Sequence, residues 1–247
     1  MCNCISPIVF LASVSVLSAA VMFGAKPGLQ AAQSAPKDPG PSATLGAKPP
    51  MAGVDDKTVI LFNGKDWSKF TDKDTTKPSG FTVAPDGPGI AAGGDTISKE
   101  LFGDFQMHVE FMCPVTNLEG QARSNSGVYV HGRYEIQVLD SFGQPPADNL
   151  CGGIYKVATP LVAASRPAGE WQTFDITFRA PRFGSDGKVT ENPRITVLHN
   201  GIVIHNNVEM PSTTAGGIDQ TMVKEGPLLL QFHGDPVQYR NIWARRL

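Results

Sequence analysis

The stretch from Ser124 to Ser141, SNSGVYVHGRYEIQVLDS, is the part of this 247-residue chain densest in side chains able to do chemistry. Strand alternation puts Arg133, Glu135 and Gln137 on one face. Asp140 joins them where a bulge or the strand end re-aims it. Asn125, Tyr129 and His131 crowd the same region, so Glu135 or Asp140 is a candidate base among hydrogen-bonding partners. The competing view is an exposed Arg133–Glu135 ion pair on a wetted sheet, which contributes little. A second stretch, GPLLLQFHGDPVQYRNIWARRL, runs from Gly226 to Leu247. It puts Gln231 and His233 on one face, then a His-Gly-Asp-Pro turn, then Gln238 and Arg240 on one side of a returning strand. A histidine with an arginine nearby can polarise a carbonyl or an oxyanion. Taken alone, a histidine such as His233 is more often a satisfied residue at a strand end than a catalyst.

Other chemistries lack their signatures. His108, His199 and His205 are scattered without metal-ligand spacing. There is no Gly-x-Ser-x-Gly elbow, phosphate-binding glycine loop, dinucleotide fingerprint or His-Glu-x-x-His. A divalent ion could replace arginine as the electrophile, but no ligand set in the sequence marks a site for one.

The elements that must position these groups are strands. In DFQMHVEFMC, Phe105, Met107, Val109 and Phe111 alternate with Gln106, His108 and Glu110. Tyr134, Ile136 and Val138 oppose Arg133, Glu135 and Gln137. Phe174, Ile176 and Phe178 oppose Asp175, Thr177 and Arg179, and Leu228, Leu230 and Phe232 oppose Leu229, Gln231 and His233. Further strands are expected over 58–62, 89–97, 125–131, 194–199, 202–206 and 237–246. Asn63-Gly64, Asp86-Gly87, Asp186-Gly187 and Asn200-Gly201 supply tight reversals, and Asn200-Gly201 reads as a two-residue hairpin. Many short strands with such breaks predict an all-β jelly-roll sandwich of two antiparallel sheets. Glu, Gln, His and Arg beside Tyr on its polar faces suit saccharides, because rings cover the apolar sugar face while polar groups bond the hydroxyls.

The ends of the chain bound where it works. Residues 1–25 carry no charged side chain, and Ile8 to Phe23 is apolar or small throughout, the pattern of a secretory signal. The run falls slightly short of the roughly 20 residues of a spanning helix. Export to the periplasm or medium is expected, with an uncleaved outward-facing membrane anchor as the alternative. Residues 26–53 are a linker rich in Pro, Ala, Gly and Ser, and 54–247 form the domain. The net charge of −2 argues against a nucleic-acid partner. Cys113 and Cys151 either pair in an oxidising compartment or sit as two buried thiols.

Four blocks in order carry a resemblance: LFNGKDWSKF, SNSGVYVHGRYEIQVLDS, GGIYKVATP followed by RPAGEWQTFDITF, and LLLQFHGDPVQYRNIWARRL. Over residues 58–247 they resemble the 3-keto-disaccharide hydrolase domain. The resemblance implies a concanavalin-like jelly roll related to laminarinase-like glucanases, with sugar on the concave sheet. It implies Glu135, Gln137 and Asp140 on that face, Gln231, His233 and Arg240 opposite, Asn125 and Tyr129 near the rim, and Tyr155 from a neighbouring loop. Laminarinase-like enzymes carry Glu-x-Asp-x-(x)-Glu on one strand, which suits a retaining double displacement with carboxyls roughly 5 Å apart. Here Gln137 replaces the middle acid and Asp140 the distal Glu. The implied activity is hydrolysis of a 3-keto-glycoside, in which a carbonyl at C3 acidifies the C2 hydrogen. One base, Glu135 or Asp140, and one carbonyl partner, His233 or Arg240, then suffice for elimination followed by hydration. Asn125, Tyr129, His131, Arg133, Gln137, Tyr155 and Gln231 are expected to position the sugar. The non-catalytic alternative is a carbohydrate-binding module using the same face.

Overall fold

The computed structural model describes residues 55–73 and 77–247. The signal segment, 1–25, and the linker, 26–53, lie outside the described residues. In chain order the strands are β1 (Thr58–Phe62), β2 (Phe70–Asp72), β3 (Thr82–Val83), β4 (Gly89–Ile90), β5 (Thr96–Phe102), β6 (Phe105–Met112), β7 (Ser126–Val130), β8 (Tyr134–Val138), β9 (Gln172–Arg179), β10 (Arg182–Phe183), β11 (Val189–Glu191), β12 (Arg194–His199), β13 (Ile202–Glu209), β14 (Gly226–Leu230) and β15 (Gln238–Arg246). A single turn of 3-10 helix, Gly120–Ala122, is the only helical element among the described residues.

Thirteen of the strands form a jelly roll of two antiparallel sheets, and β10 and β11 pair separately as a two-stranded ribbon. The eight-stranded sheet runs β13, β12, β9, β6, β15, β4, β3, with β1 also paired to β15; the five-stranded sheet runs β2, β5, β14, β7, β8. Alternation sends one side of each strand into a shared core. Val109, Phe111, Phe174, Phe178 and Val197 from the larger sheet meet Val128, Val130, Tyr134, Ile136, Val138, Leu228 and Leu230 from the smaller, all at most 1% exposed. Each such side chain contributes about 1.5–3 kcal/mol by leaving water, and this fixes which face of β7, β8 and β14 remains for function. Residues 91–95 do not continue the expected 89–97 strand, because Gly93 and Gly94 have φ of 69° and 117° and turn the chain between the two sheets.

Two hairpins share one turn geometry. Asn200 and Gly201, φ 52° and 79°, join β12 to β13 as expected. His131 and Gly132, φ 52° and 65°, join β7 to β8, with Arg133 N donating to Val130 O at 3.1 Å. The His131 ring is buried, 4.6 Å from Phe178 and 6.1 Å from Phe105 by centroid, with Nε2 3.1 Å from Gly103 O. Burial drops its pKa to about 4. His131 is therefore a turn and core residue and not the sugar contact expected from sequence. Cys113 and Cys151 are buried free thiols, the second of the two alternatives.

Candidate functional site

The β7–β8 register sets Tyr129 opposite Glu135 and Gly127 opposite Gln137. Val128, Val130, Tyr134, Ile136 and Val138 take the core side, so the alternate residues share the outer face of the five-stranded sheet. Gly127 makes room there. A Cβ at this position would lie 2.7 Å from Glu135 Oε1 and 2.6 Å from Tyr129 Cε2, so the carboxylate folds over β7 where the strand has no side chain. Gln137 Nε2 donates to Asn125 Oδ1 at 3.1 Å, and Asn125 Nδ2 donates to Gln121 O at 2.8 Å. From the end of β14, Gln231 Nε2 donates to the Tyr129 hydroxyl at 3.1 Å. The hydroxyl in turn lies 3.3 Å from Ala215 O.

These groups enclose a hollow of about 140 Å³. Tyr129, Glu135 and Gln137 form its floor, Gln121 and Asn125 one side, and Gln231 and His233 another, with Tyr155, Ala215 and Gly216 arriving from loops. A larger hollow of about 750 Å³ lies elsewhere, beside Lys65, Trp67, Lys77 and Lys99. Among the described residues that line it, Asp66 is the one carboxylate and there is no histidine, whereas the smaller hollow brings a carboxyl and an imidazole together.

Glu135 is 4% exposed. Burial pushes its carboxyl up, the Tyr129 phenol pulls it partly back, and the Asp95 charge raises it further, to about 7. The same burial and the facing carboxylate push the Tyr129 phenol well above its ordinary range. Asp95 is itself held, with Oδ1 accepting Phe232 N at 3.0 Å and Oδ2 3.3 Å from Lys73 Nζ. Lys73 Nζ also donates to Gly216 O at 3.3 Å. A carboxyl that changes charge near neutrality, inside a hollow and with no cationic partner at hydrogen-bond distance among the described residues, is equipped to take and return a proton.

The hollow thus gathers seven of the side chains named from sequence: Asn125, Tyr129, Glu135, Gln137, Tyr155, Gln231 and His233. Four others lie outside its lining. Val138 and Leu139 both turn into the core, and this break in alternation does re-aim Asp140, but onto Arg123 Nη2 at 2.6 Å. Arg133 is neither a lining residue nor the partner of Glu135. Its Nε and Nη2 donate to the Asp219 carboxylate at 2.8 and 2.5 Å. Arg240 lies on β15 in the other sheet, since Tyr239 takes the core side and bonds Ser126 Oγ at 2.7 Å. Its Nε donates to Glu110 Oε2 at 2.5 Å and its guanidinium lies 4.0 Å over the Trp171 ring. The fourth is His131, already placed in the core. Sequence reasoning missed Gln121, Ala215 and Gly216, and missed Gly127 as the cause of the Glu135 pose. Gly216 carries a signal after the fact: its φ is 79° and a Cβ there would lie 2.6 Å from the Tyr129 hydroxyl.

Of the usual metal ligands the hollow offers Glu135 and His233. Among the described residues no three His, Cys, Asp or Glu side chains gather into a group that could hold a metal ion.

A sequence comparison matches residues 57–245 to the 3-keto-alpha-glucoside-1,2-lyase-like domain. No curated protein matches. Among solved structures, a candidate glycosyl hydrolase from Parabacteroides distasonis is 38% identical, with TM-score 0.69, over 78% of this chain and 84% of its own. A second candidate glycosyl hydrolase from the same organism is 19% identical, with TM-score 0.60, over 77% and 94%, a likeness of fold. The match over most of the described residues and the 38% identical relative establish that this chain belongs to the 3-keto-alpha-glucoside-1,2-lyase-like family.

Proposed function

We propose that the chain is an exported carbohydrate-active enzyme that cleaves 3-keto-glycosides in the hollow over Glu135. Glu135 Oε takes the C2 proton, and the electrons of the C–H bond pass into the C2–C3 bond and onto the C3 oxygen. His233, Gln231 and the Tyr129 hydroxyl are the donors available to that oxygen and to the departing group. As the enolate collapses, the C1–O bond breaks, and the leaving oxygen receives a proton. The product is a sugar unsaturated between C1 and C2, and addition of water across that bond completes net hydrolysis. Asp140 and Arg240 have no part in this scheme, because each is held by a partner outside the hollow.

The observation that carries the proposal is the Glu135 carboxyl, buried beside a phenol and held near neutrality in its pKa, in a hollow that His233 also lines. The family description, a 1,2-lyase-like domain acting at a 3-keto glucoside, and the candidate glycosyl hydrolase relative support the same substrate class. Export rests on the apolar N-terminal run alone. The test is incubation of the purified protein with a 3-keto-glucoside, with and without chelator, comparing wild type, Glu135→Gln and His233→Ala. Turnover by wild type and its loss in Glu135→Gln are expected. Measurable sugar affinity with no turnover of any keto-glycoside would make the domain a binding module instead.

A further inference from the structure

Arg133 is nearly buried, and what it holds is a stretch of chain beside the hollow. β8 is an edge strand of the five-stranded sheet, and the segment Thr213–Thr221, between β13 and β14, lies along it. Thr214 N donates to Arg133 O at 2.9 Å, Thr214 Oγ1 accepts Glu135 N at 2.9 Å, and Ile218 N donates to Gly132 O at 2.9 Å. The close approach requires glycine on both sides. A Cβ on Gly132 would sit 2.4 Å from Ile218 Cδ1, and one on Gly217 would sit 2.8 Å from Gly132 O.

The segment also explains why one residue on the polar face is a leucine. Ile218 packs on a small apolar cluster of Ile97, Tyr129 and Leu229, separate from the main core. Tyr129 is thus held from above by Ile218 and at its hydroxyl by Ala215 O, and Gly216 completes that wall of the hollow. At the far end Asp219, whose side chain is 42% exposed, receives the two-pronged bond from Arg133, whose side chain is 9% exposed. Arg133 Nη1 donates to His131 O at 2.9 Å, so the guanidinium joins the β7–β8 turn to the segment.

We infer that Arg133 and Asp219 are positioning residues whose ion pair clamps Thr213–Thr221 onto the edge of β8 and so fixes the Ala215–Gly216 wall against Tyr129 and Glu135. The kinetic consequence rests on the function proposed above; the clamp itself does not. A planar guanidinium meeting a carboxylate with two parallel bonds specifies direction as well as distance, which a lysine there would not. The wall donates no proton, so loosening it weakens substrate binding more than turnover.

The test uses the full chain and Asp219→Asn, a change at a half-exposed side chain that leaves the core untouched. Hydrogen exchange read by mass spectrometry should be about tenfold faster or more in the peptides covering 213–221 and unchanged in β6 and β9, as loss of a charge-assisted pair predicts. KM for the 3-keto-glucoside should rise about tenfold with kcat within about twofold, and Asp219→Glu should restore most of both. Unchanged exchange in 213–221 overturns the clamp. Faster exchange with an unchanged KM overturns its role in the hollow. Should wild type bind the sugar without turning it over, its Kd replaces KM. Should it do neither, exchange alone decides the clamp, and only the proposed function has failed.

Discussion

On the outer face of the eight-stranded sheet, His108 Nδ1 lies 2.6 Å from Asp175 Oδ1 and its Nε2 3.5 Å from Glu110 Oε1. Glu110 also takes Arg240 Nε at 2.5 Å and Asn241 Nδ2 at 2.8 Å. On the outer face of the five-stranded sheet, Glu135 has, among the described residues, the Tyr129 phenol alone to offset its burial. In the first cluster burial opposes every charge and loses to the partners. His108 is lifted to about 9 by the two carboxylates, and Glu110 is held at about 2 by His108, Asn241 and Arg240. In the second, burial wins and Glu135 rises to about 7. The two faces use the same residue types for opposite ends. A carboxylate surrounded by cations is fixed in one charge state and can only hold the fold, whereas one without them can change state at neutral pH.

That contrast breaks most visibly at Glu135. Replacing it with Gln should lower kcat/KM by about 10³-fold, the usual scale for a general base, and the wild-type rate should fall as pH drops below about 7. The stability effect has the opposite sign. Because the folded-state pKa exceeds the ordinary 4.5, burial costs nothing below pH 4.5 and its full cost appears once pH rises through 7. Glu135→Gln should therefore be more stable than wild type at pH 8, by up to about 3 kcal/mol, and not at pH 4. Denaturant midpoints at the two pH values check this.

Arg240→Ala should behave in the reverse manner. It leaves Glu110 buried with fewer partners and uncovers Trp171, so a loss of about 3 kcal/mol is expected from the same midpoint measurement. The kcat of the surviving folded protein should stay within about twofold of wild type; a hundredfold fall would return Arg240 to the chemistry.

Gly127→Ala sharpens the comparison from the backbone side. One obstructing atom is the movable end of Glu135 and the other an edge atom of the held Tyr129 ring, so the fold should persist while Glu135 swings away, with kcat lower by about tenfold. The smallest effect is in the His108 cluster. Its raised histidine contributes stability fully below pH 6.5 that is lost as pH rises through 9, and its lowered Glu110 contributes stability above pH 4.5 that is lost as pH falls through 2. Both contributions are complete between pH 4.5 and 6.5. His108→Gln should flatten the alkaline side of the stability profile by about 1 kcal/mol, since Asp175 is partly exposed and screened.

Local pattern made much of this molecule readable. Period-two runs found β6, β8, β9, β12 and β14 because each must keep one face dry, and Asn200-Gly201 found its hairpin because both residues tolerate positive φ. Glu135, Gln137 and Tyr129 were legible for the same reason, as neighbours on two paired strands are fixed by register. Gln231 and His233 both line the same hollow. The 3-10 turn bearing Gln121 and the wall from Ala215 and Gly216 were not legible, because loops carry no period and their positions depend on what they pack against.

The sequence by itself determined which side chains share a strand face, since alternation is a property of the extended backbone and needs no partner. Tertiary structure alone decided which sheet each strand joins. The chain crosses from the five-stranded to the eight-stranded sheet between β14 and β15, so His233, in that connection, lines the hollow while Arg240, seven residues on, lies on the other sheet. Charge state was decided there too, because a carboxyl's pKa depends on the desolvation and the partners that packing supplies, and nothing within β8 encodes either.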